Sequence, residues 1–404
     1  MSKATECQHR DLLNELNRKG NVSEKIAFLH RVVSQQHPCV HRIGVAVYDQ
    51  ESDTLKTFAH STDGENPLPN YLCKLREAGS LYRIYLEGRP RVINDLNALD
   101  NKPEHTRRLQ NNGFRSSYTI PTYHDGQLLG FVFFNSRIPA AFQEERLAYL
   151  DMIARLISLL VSVELQQVKT LYGALRMATN FSGHKDPETG AHLERMARFS
   201  HLIAHHTAPA YGLSDEFVEA VFWFAPMHDV GKIAIADNIL RRPGKLSGAE
   251  FEIMKTHTTR GREMISGMLG NFNLDRLGMA AMIGNIAEFH HENIDGSGYP
   301  RGLKGDAIPV EARIVAVADV FDALTSKRCY KPAWSNEEAL DALRAMSSWK
   351  LDPLCVETLC GKMDSIREIQ AQFLDASEAE QASPECRPQA IRKSPTRSIL
   401  DTVM

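Results

Sequence analysis

Two rhythms of apolar residues divide this chain. Residues 21–40 place Ile26, Phe28, Leu29 and Val32 on one side of a helix. Residues 42–48 are rich in β-formers, 49–53 make a polar turn, and 54–59 form a second strand. A short third strand covers 91–93. Residues 116–123 and 127–135 read as strands joined around Asp125-Gly126, a dipeptide suited to a tight hairpin turn. From 142 to 178 the pattern turns helical, without proline and with Gly173 as its one glycine. Helices then continue to about residue 374. Within them Ser247-Gly248-Ala249-Glu250 has the form of a capping box, and Pro309 suits the first turn of a helix. From Ser377 the chain has three prolines, mixed charges and no periodicity, which predicts a flexible terminus. The expected fold class is multidomain: an α+β domain over 1–140, a connecting helix over 141–180, an all-α domain over 181–376 and a tail over 377–404.

The connecting helix carries a further pattern. Counting from Leu147 in steps of three and four gives Leu150, Ala154, Ile157, Val161, Glu164, Val168, Leu171, Leu175 and Ala178. All but Glu164 are apolar, the pattern of a two-stranded seam, and this predicts a homodimer. The rival reading is a helix packed on its own domains. Leu156, Leu159, Leu160 and Val163 are also apolar and allow more than one buried face.

Composition narrows the class. The 404 residues are 43% hydrophobic and 24% charged, enough apolar material for more than one core, which excludes a collagen-like or disordered chain. A net charge of −3 gives no basic field for duplex nucleic acid. No apolar run approaches the roughly 18 residues that cross a membrane, and the first residues lack the apolar stretch of a secretory signal. Seven scattered cysteines without a Cys-x-x-Cys pair argue against a disulfide framework and for a reducing cytoplasm.

The chemistry is concentrated in histidines. Nine of the sixteen lie between His184 and His291. Glu188 and His192 are four apart near a helix start and can share one face. His228-Asp229 follows an apolar helix and precedes Gly231-Lys232. His257 lies in the middle of a predicted helix. His290-His291 end another, directly before Glu292 and Asp295-Gly296-Ser297-Gly298-Tyr299-Pro300. Asp319 interrupts an apolar stretch, where a carboxylate needs a compensating partner. Imidazoles and carboxylates without nearby cysteine suit iron, manganese or catalytic zinc. More than five candidate ligands exceed the needs of one tetrahedral ion, so the site is expected to hold two or more.

His228-Asp229-x-Gly231-Lys232 and His290-His291-Glu292-x-x-Asp295-Gly296-x-Gly298-Tyr299-Pro300 resemble the two defining motifs of the HD-GYP family of cyclic dinucleotide phosphodiesterases. The likeness spans about residues 170–370 and continues through Arg313 to Asp319 and Asp322 to Ser326. It implies an all-helical HD-type domain that hydrolyses cyclic di-GMP, or in some members cyclic GMP-AMP. Asp229 would bridge two divalent ions of iron or manganese, with His228 beside it and His257, His290, His291 and Asp319 completing the shell. Glu188-Thr189-Gly190-Ala191-His192 matches the variant associated with a third ion. Lys232 would sit at the rim and offset phosphate charge. Arg328 and Lys331 resemble phosphate-contacting positions, and Tyr299 would be turned toward base or phosphate. Cys329 stands where a proline is frequent. The chemistry fits, because two ions about 3.5–4 Å apart can clamp a phosphodiester for in-line attack.

The α+β part resembles a GAF domain, through its strand order and the segment Leu128 to Phe134. It implies a sensor with an unknown small-molecule ligand, or a dimerisation module. Cys39 and Cys73 are read as incidental or buried thiols rather than tetrapyrrole anchors. His201, His205 and His206 match no motif and are read as surface or packing residues, as is His184. Asp186 either caps a helix or supports a ligand. Glu292 and Asp295 are read as turn residues, and Asp322 as a partner of a ligand histidine.

The whole predicts a cytoplasmic signalling phosphodiesterase with two or three metal ions, working beside diguanylate cyclase-type partners and yielding pGpG or GMP. The alternatives are an enzyme preferring 3'3'-cGAMP and a catalytically silent cyclic-dinucleotide-binding or docking module. A mononucleotide-cleaving HD enzyme is disfavoured by the Gly-Tyr-Pro segment.

Overall fold

A computed structural model describes residues 11–18, 20–100, 102–181, 190–271, 280–326 and 333–373, with the backbone alone at 175–176 and 178–181. The tail from 377, His184, Asp186, Glu188, Arg328, Cys329 and Lys331 lie outside the described residues, as do the side chains of Leu175 and Ala178.

Helix α1 (Val22–Gln36) starts where the Asn21 side chain accepts from the Glu24 amide. Strands β1 (Arg42–Asp49), β2 (Thr54–Thr62) and β3 (Leu72–Lys74) follow, then α2 (Ser80–Glu87), β4 (Arg91–Ile93), α3 (Glu104–Asn111), β5 (Ser116–His124) and β6 (Gln127–Ser136). They form one six-stranded antiparallel sheet in the order β3-β2-β1-β6-β5-β4. The β5–β6 turn is built as its sequence predicts: Asp125 and Gly126 have φ of 48° and 75°, the left-handed pair that matches strand twist. Alternation sorts the strands' side chains. Ile43, Val45, Phe58, Ile120, Val132 and Phe134 pack beneath α1 and the helix that follows β6. Ala46, Leu55 and Phe131 face the other way, toward Leu81 and Ile84 of α2.

That following helix, α4 (Glu144–Phe181), is 38 residues long. It corrects the expectation of an intermolecular seam. Leu150, Ala154, Ile157 and Val161 are buried in the core of the α+β domain, and Val168 and Leu171 in that of the helical domain. The apolar face is spent inside the chain. What α4 exposes instead is Met152, Leu159, Val163 and Met177.

The helical domain comprises α5 (Gly190–Tyr211), α6 (Asp215–Phe224), α7 (Asp237–Leu240), α8 (Gly248–Lys255), α9 (His257–Asn271), α10 (Ala280–Phe289), α11 (Val310–Thr325), α12 (Asn336–Met346), α13 (Pro353–Cys360) and α14 (Met363–Gln372). One core draws residues from all of them but α7 and α8, with Phe199, Phe224 and Phe321 fully buried. The capping box at Ser247 and Glu250 is present, while Pro309 sits one residue before α11 rather than within its first turn. His257 opens α9 instead of lying mid-helix. Thr256, Thr258 and Thr259 each turn a hydroxyl back to the carbonyl three residues earlier, which competes with a continuous helix there.

The two domains meet across β2 and α6. Lys56 Nζ lies 3.3 Å from Glu219, both side chains more than nine-tenths buried, and His201 Nε2 is 2.9 Å from the other Glu219 oxygen. Arg198 reaches Asp49 at 3.1 Å and Glu51 at 3.3 Å. Ser23 Oγ donates to Glu216 at 2.8 Å, and the Asn70 amide donates to Asp215. His201 is therefore a junction residue rather than an ordinary surface position, while His206 is exposed.

Candidate metal centre

Five elements bring the site together. His192 stands in the first turn of α5. His228 and Asp229 follow the single turn of 3₁₀ helix that extends α6. His257 opens α9, His290 and His291 follow α10, and Asp319 projects from α11. Gly231 allows this convergence. A Cβ there would overlap the His257 carbonyl oxygen, so only glycine lets the segment after Asp229 approach the start of α9.

Three histidines are oriented by one device. His228 Nδ1 bonds the Ala225 carbonyl at 2.9 Å, His257 Nδ1 that of Met254 at 2.8 Å, and His290 Nδ1 that of Ile286 at 3.0 Å. Each carbonyl lies a turn earlier in the chain. A carbonyl only accepts, so Nδ1 carries the proton and Nε2 keeps its lone pair. Those lone pairs point at Asp229: His257 Nε2 is 3.2 Å and His290 Nε2 3.7 Å from Oδ1, and His228 Nε2 is 3.2 Å from Oδ2. His228 Nε2 also lies 3.9 Å from Asp319.

The donors fall into two groups, Asp229 with His257, His290 and His291, and His192 with His228 and Asp319. Asp229 gives one oxygen to each side. Its Oδ1 and the Nε2 atoms of His257 and His290 are buried without a hydrogen-bond partner. Such convergent, buried lone pairs are costly unless a cation fills the space between them, so the donor set fits divalent metal. His192 thus falls in the second group, beside His228 and Asp319.

The electrostatics agree. Burial alone would raise the Asp229 carboxyl, but Lys232 and His228 outweigh it and hold the carboxyl well below the usual range. Lys232 Nζ lies 2.7 Å from Oδ2. Burial, with His290 beside it, keeps the His291 ring neutral, and burial does the same for His290. Asp322 is not a ligand. It accepts from His192 Nδ1 at 2.7 Å and from Arg195 Nε at 2.6 Å. Burial opposes its ionisation, and His192 and Arg195 overcome that to keep it a carboxylate.

The Gly-Tyr-Pro segment forms one wall. The Tyr299 ring stands 4.9 Å from that of His291, and burial raises its hydroxyl pKa. Glu292 accepts from the amides of Arg301 and Leu303, and Asp295 from that of Ser297, so both are loop-shaping residues as expected. A cleft of about 680 Å³ opens beside the donors. Sequence reasoning missed four of its lining residues: Phe251, Lys255, Trp349 and Lys350. Lys255 Nζ is 5.7 Å from the Tyr299 ring centre and 5.6 Å from that of Phe251. None belongs to a short motif; only exposed aromatics beside lysines hint at them. Arg195 was missed as well, although its spacing of three from His192 places it on the ligand face.

Comparison with known proteins agrees with this geometry. Residues 28–161 match the GAF domain family and residues 184–354 the HD domain family. The cyclic di-GMP phosphodiesterase response regulator RpfG of Xanthomonas campestris is 43% identical over 56% of this chain and 56% of its own length. A cyclic di-GMP phosphodiesterase of Thermotoga maritima is 40% identical over 51% of this chain and 53% of its own. The 3'3'-cGAMP-specific phosphodiesterase 2 of Vibrio cholerae is 40% identical over 46% of this chain and 34% of its own. This chain thus spans about half the length of such relatives, or less. A helical bundle with converging histidines behind a curled antiparallel sheet is, in this chain, an HD domain behind a GAF domain, related to the cyclic dinucleotide phosphodiesterases.

Proposed function

We propose that this chain is an HD-GYP phosphodiesterase that hydrolyses cyclic di-GMP to pGpG or GMP in a metal-dependent way. The observation that carries the reading is Asp229, which offers one carboxylate oxygen to each of two donor groups. Divalent metal, iron or manganese by the donor types, would supply Lewis acidity and activate water for attack on phosphorus. The chain's own residues do the rest. The backbone carbonyls of Ala225, Met254 and Ile286 fix the tautomers of three ligands. Lys232 offsets negative charge beside Asp229. Lys255 and Lys350 face phosphate from the cleft wall, while Phe251, Tyr299 and Trp349 offer faces for guanine. Arg328 and Lys331 are assigned phosphate contacts by motif alone. Asp229→Ala is expected to lose bound metal and turnover together, read by elemental analysis and a cyclic di-GMP assay; normal turnover would overturn the assignment.

Glu188 stands four residues before His192 in sequence, and we infer that it enlarges the His192, His228 and Asp319 group to hold a third ion. Elemental analysis should then give about three ions per chain for anaerobically purified protein, and fewer for Glu188→Ala. A count of two in both would defeat it. With the relative named for 3'3'-cGAMP at 40% identity, that nucleotide is the second substrate to assay. The protein is proposed to act in the cytoplasm; among the described residues no helix is long and apolar enough to cross a membrane.

A further inference from the structure

A second cavity lies inside the GAF domain, on the sheet face turned away from α1 and α4. It is small, about 50 Å³, against 680 Å³ for the cleft above. One water needs roughly 10–15 Å³ on this measure. The cavity therefore suits a molecule of a few heavy atoms and is far too small for a nucleotide or a tetrapyrrole.

Its lining is mainly apolar, including Leu55, Leu68, Leu81 and Phe133, and contains no carboxylate. Two arginines and a histidine enter it, together with Lys56, whose charge is already met by Glu219. Arg42 is 3% exposed; its Nη1 donates to Asn135 at 2.9 Å, but its Nε is buried with no partner. Arg91 Nε is buried and unpartnered in the same cavity, and so is Nδ1 of His105, a residue 8% exposed. Burial lowers the Arg42 pKa only to about 10, so it remains a cation, and lowers His105 to about 4, so it is neutral. A neutral imidazole still donates from one nitrogen. Buried guanidinium groups are costly without an anion and pair best with a planar carboxylate.

We propose that this cavity binds a small organic acid, its carboxylate between Arg42, Arg91 and His105 and its short carbon body against the leucines. An acidic side chain that stabilises the Arg42 cation comes from outside the cavity lining. It is Asp215, at the start of α6, held by the Asn70 amide. The acid and Asp215 therefore share one guanidinium, and by linkage each weakens the other's hold on it.

The test uses the full chain in thermal-shift and calorimetric titrations with acetate, propionate and benzoate, their amides, and inorganic phosphate. At least one carboxylate should raise the melting temperature saturably while its amide does not. Arg42→Gln and Arg91→Gln should each weaken that response at least tenfold, and Asp215→Asn should strengthen it. Should Arg42→Gln fail to fold, the less buried Arg91→Gln decides. Equal response to acid and amide, response to phosphate alone, an undiminished response in Arg91→Gln, or no response to any carboxylate would each overturn the proposal. The catalytic assignment is untouched by these outcomes, because none of these residues lines the metal centre.

Discussion

At the scale of single residues, the metal centre is a problem in proton placement. Each of three buried histidines spends one nitrogen on a carbonyl of its own chain and thereby commits the other to the site. Gly231 matters for the same site although it offers no donor. Gly231→Ala would drive a methyl group into the His257 carbonyl and the Gly261 backbone. The expected cost is about 2–4 kcal/mol, with a fall in metal content measured alongside thermal denaturation. That these residues would gather was legible in sequence, because histidine and aspartate in apolar surroundings demand an explanation. The partition of those donors was not: His192 joins His228 and Asp319 through the packing of α5 on α11, which no local spacing encodes. The cleft residues Trp349 and Lys350 were equally silent, since they arrive from a turn after α12.

At the scale of elements, what repeats is readable, and what is brief is read only in part: β4 was expected at 91–93 and is there. The β5–β6 hairpin and α4 followed from alternation and helical period, whereas β3, with three residues, and α2 and α3, with eight each, are too short for periodicity to separate them from loop. The seam on α4 shows the other limit. A heptad pattern records that a face is buried but not by what, and here both domains of the same chain bury it. Glu164 on that face is a tension point. Its Oε1 is buried without a partner, and burial and the charge of Glu216 raise its pKa. A group that binds its proton more tightly when folded favours the fold at low pH and opposes it once pH passes the raised value. Glu164→Gln should therefore raise the unfolding free energy at neutral pH by about 1 kcal/mol, seen as a higher melting temperature. The gain should shrink as the pH falls toward 4.5, the ordinary carboxyl value; a gain independent of pH would refute this origin.

At the scale of the molecule, two cores are joined by more than a helix. Lys56 and Glu219 form an ion pair with almost no exposure, and Lys56 also lies 4.1 Å over the Phe222 ring. Removing one partner of such a pair leaves a buried charge uncompensated, at about 3–5 kcal/mol. Lys56→Met should lower the stability of the whole chain by that order, and Lys56→Met with Glu219→Gln should recover most of it. Calorimetry would check this, with the wild type melting in one transition. Recovery is the decisive reading, since a general packing defect would survive the second substitution.

Helix α5 gives the arrangement its mechanical character. His192 belongs to the metal centre, Arg195 grips Asp322, Arg198 holds Asp49, and His201 meets Glu219. These four residues climb the helix in steps of three. Nine residues of α-helix rise only about 13.5 Å. One stretch of stiff helix thus carries a candidate metal donor at its start and, through Arg198 and Asp49, a tie to the end of β1, with no joint in between. A load placed on the sheet at Asp49 therefore reaches the helix that carries His192 two turns away.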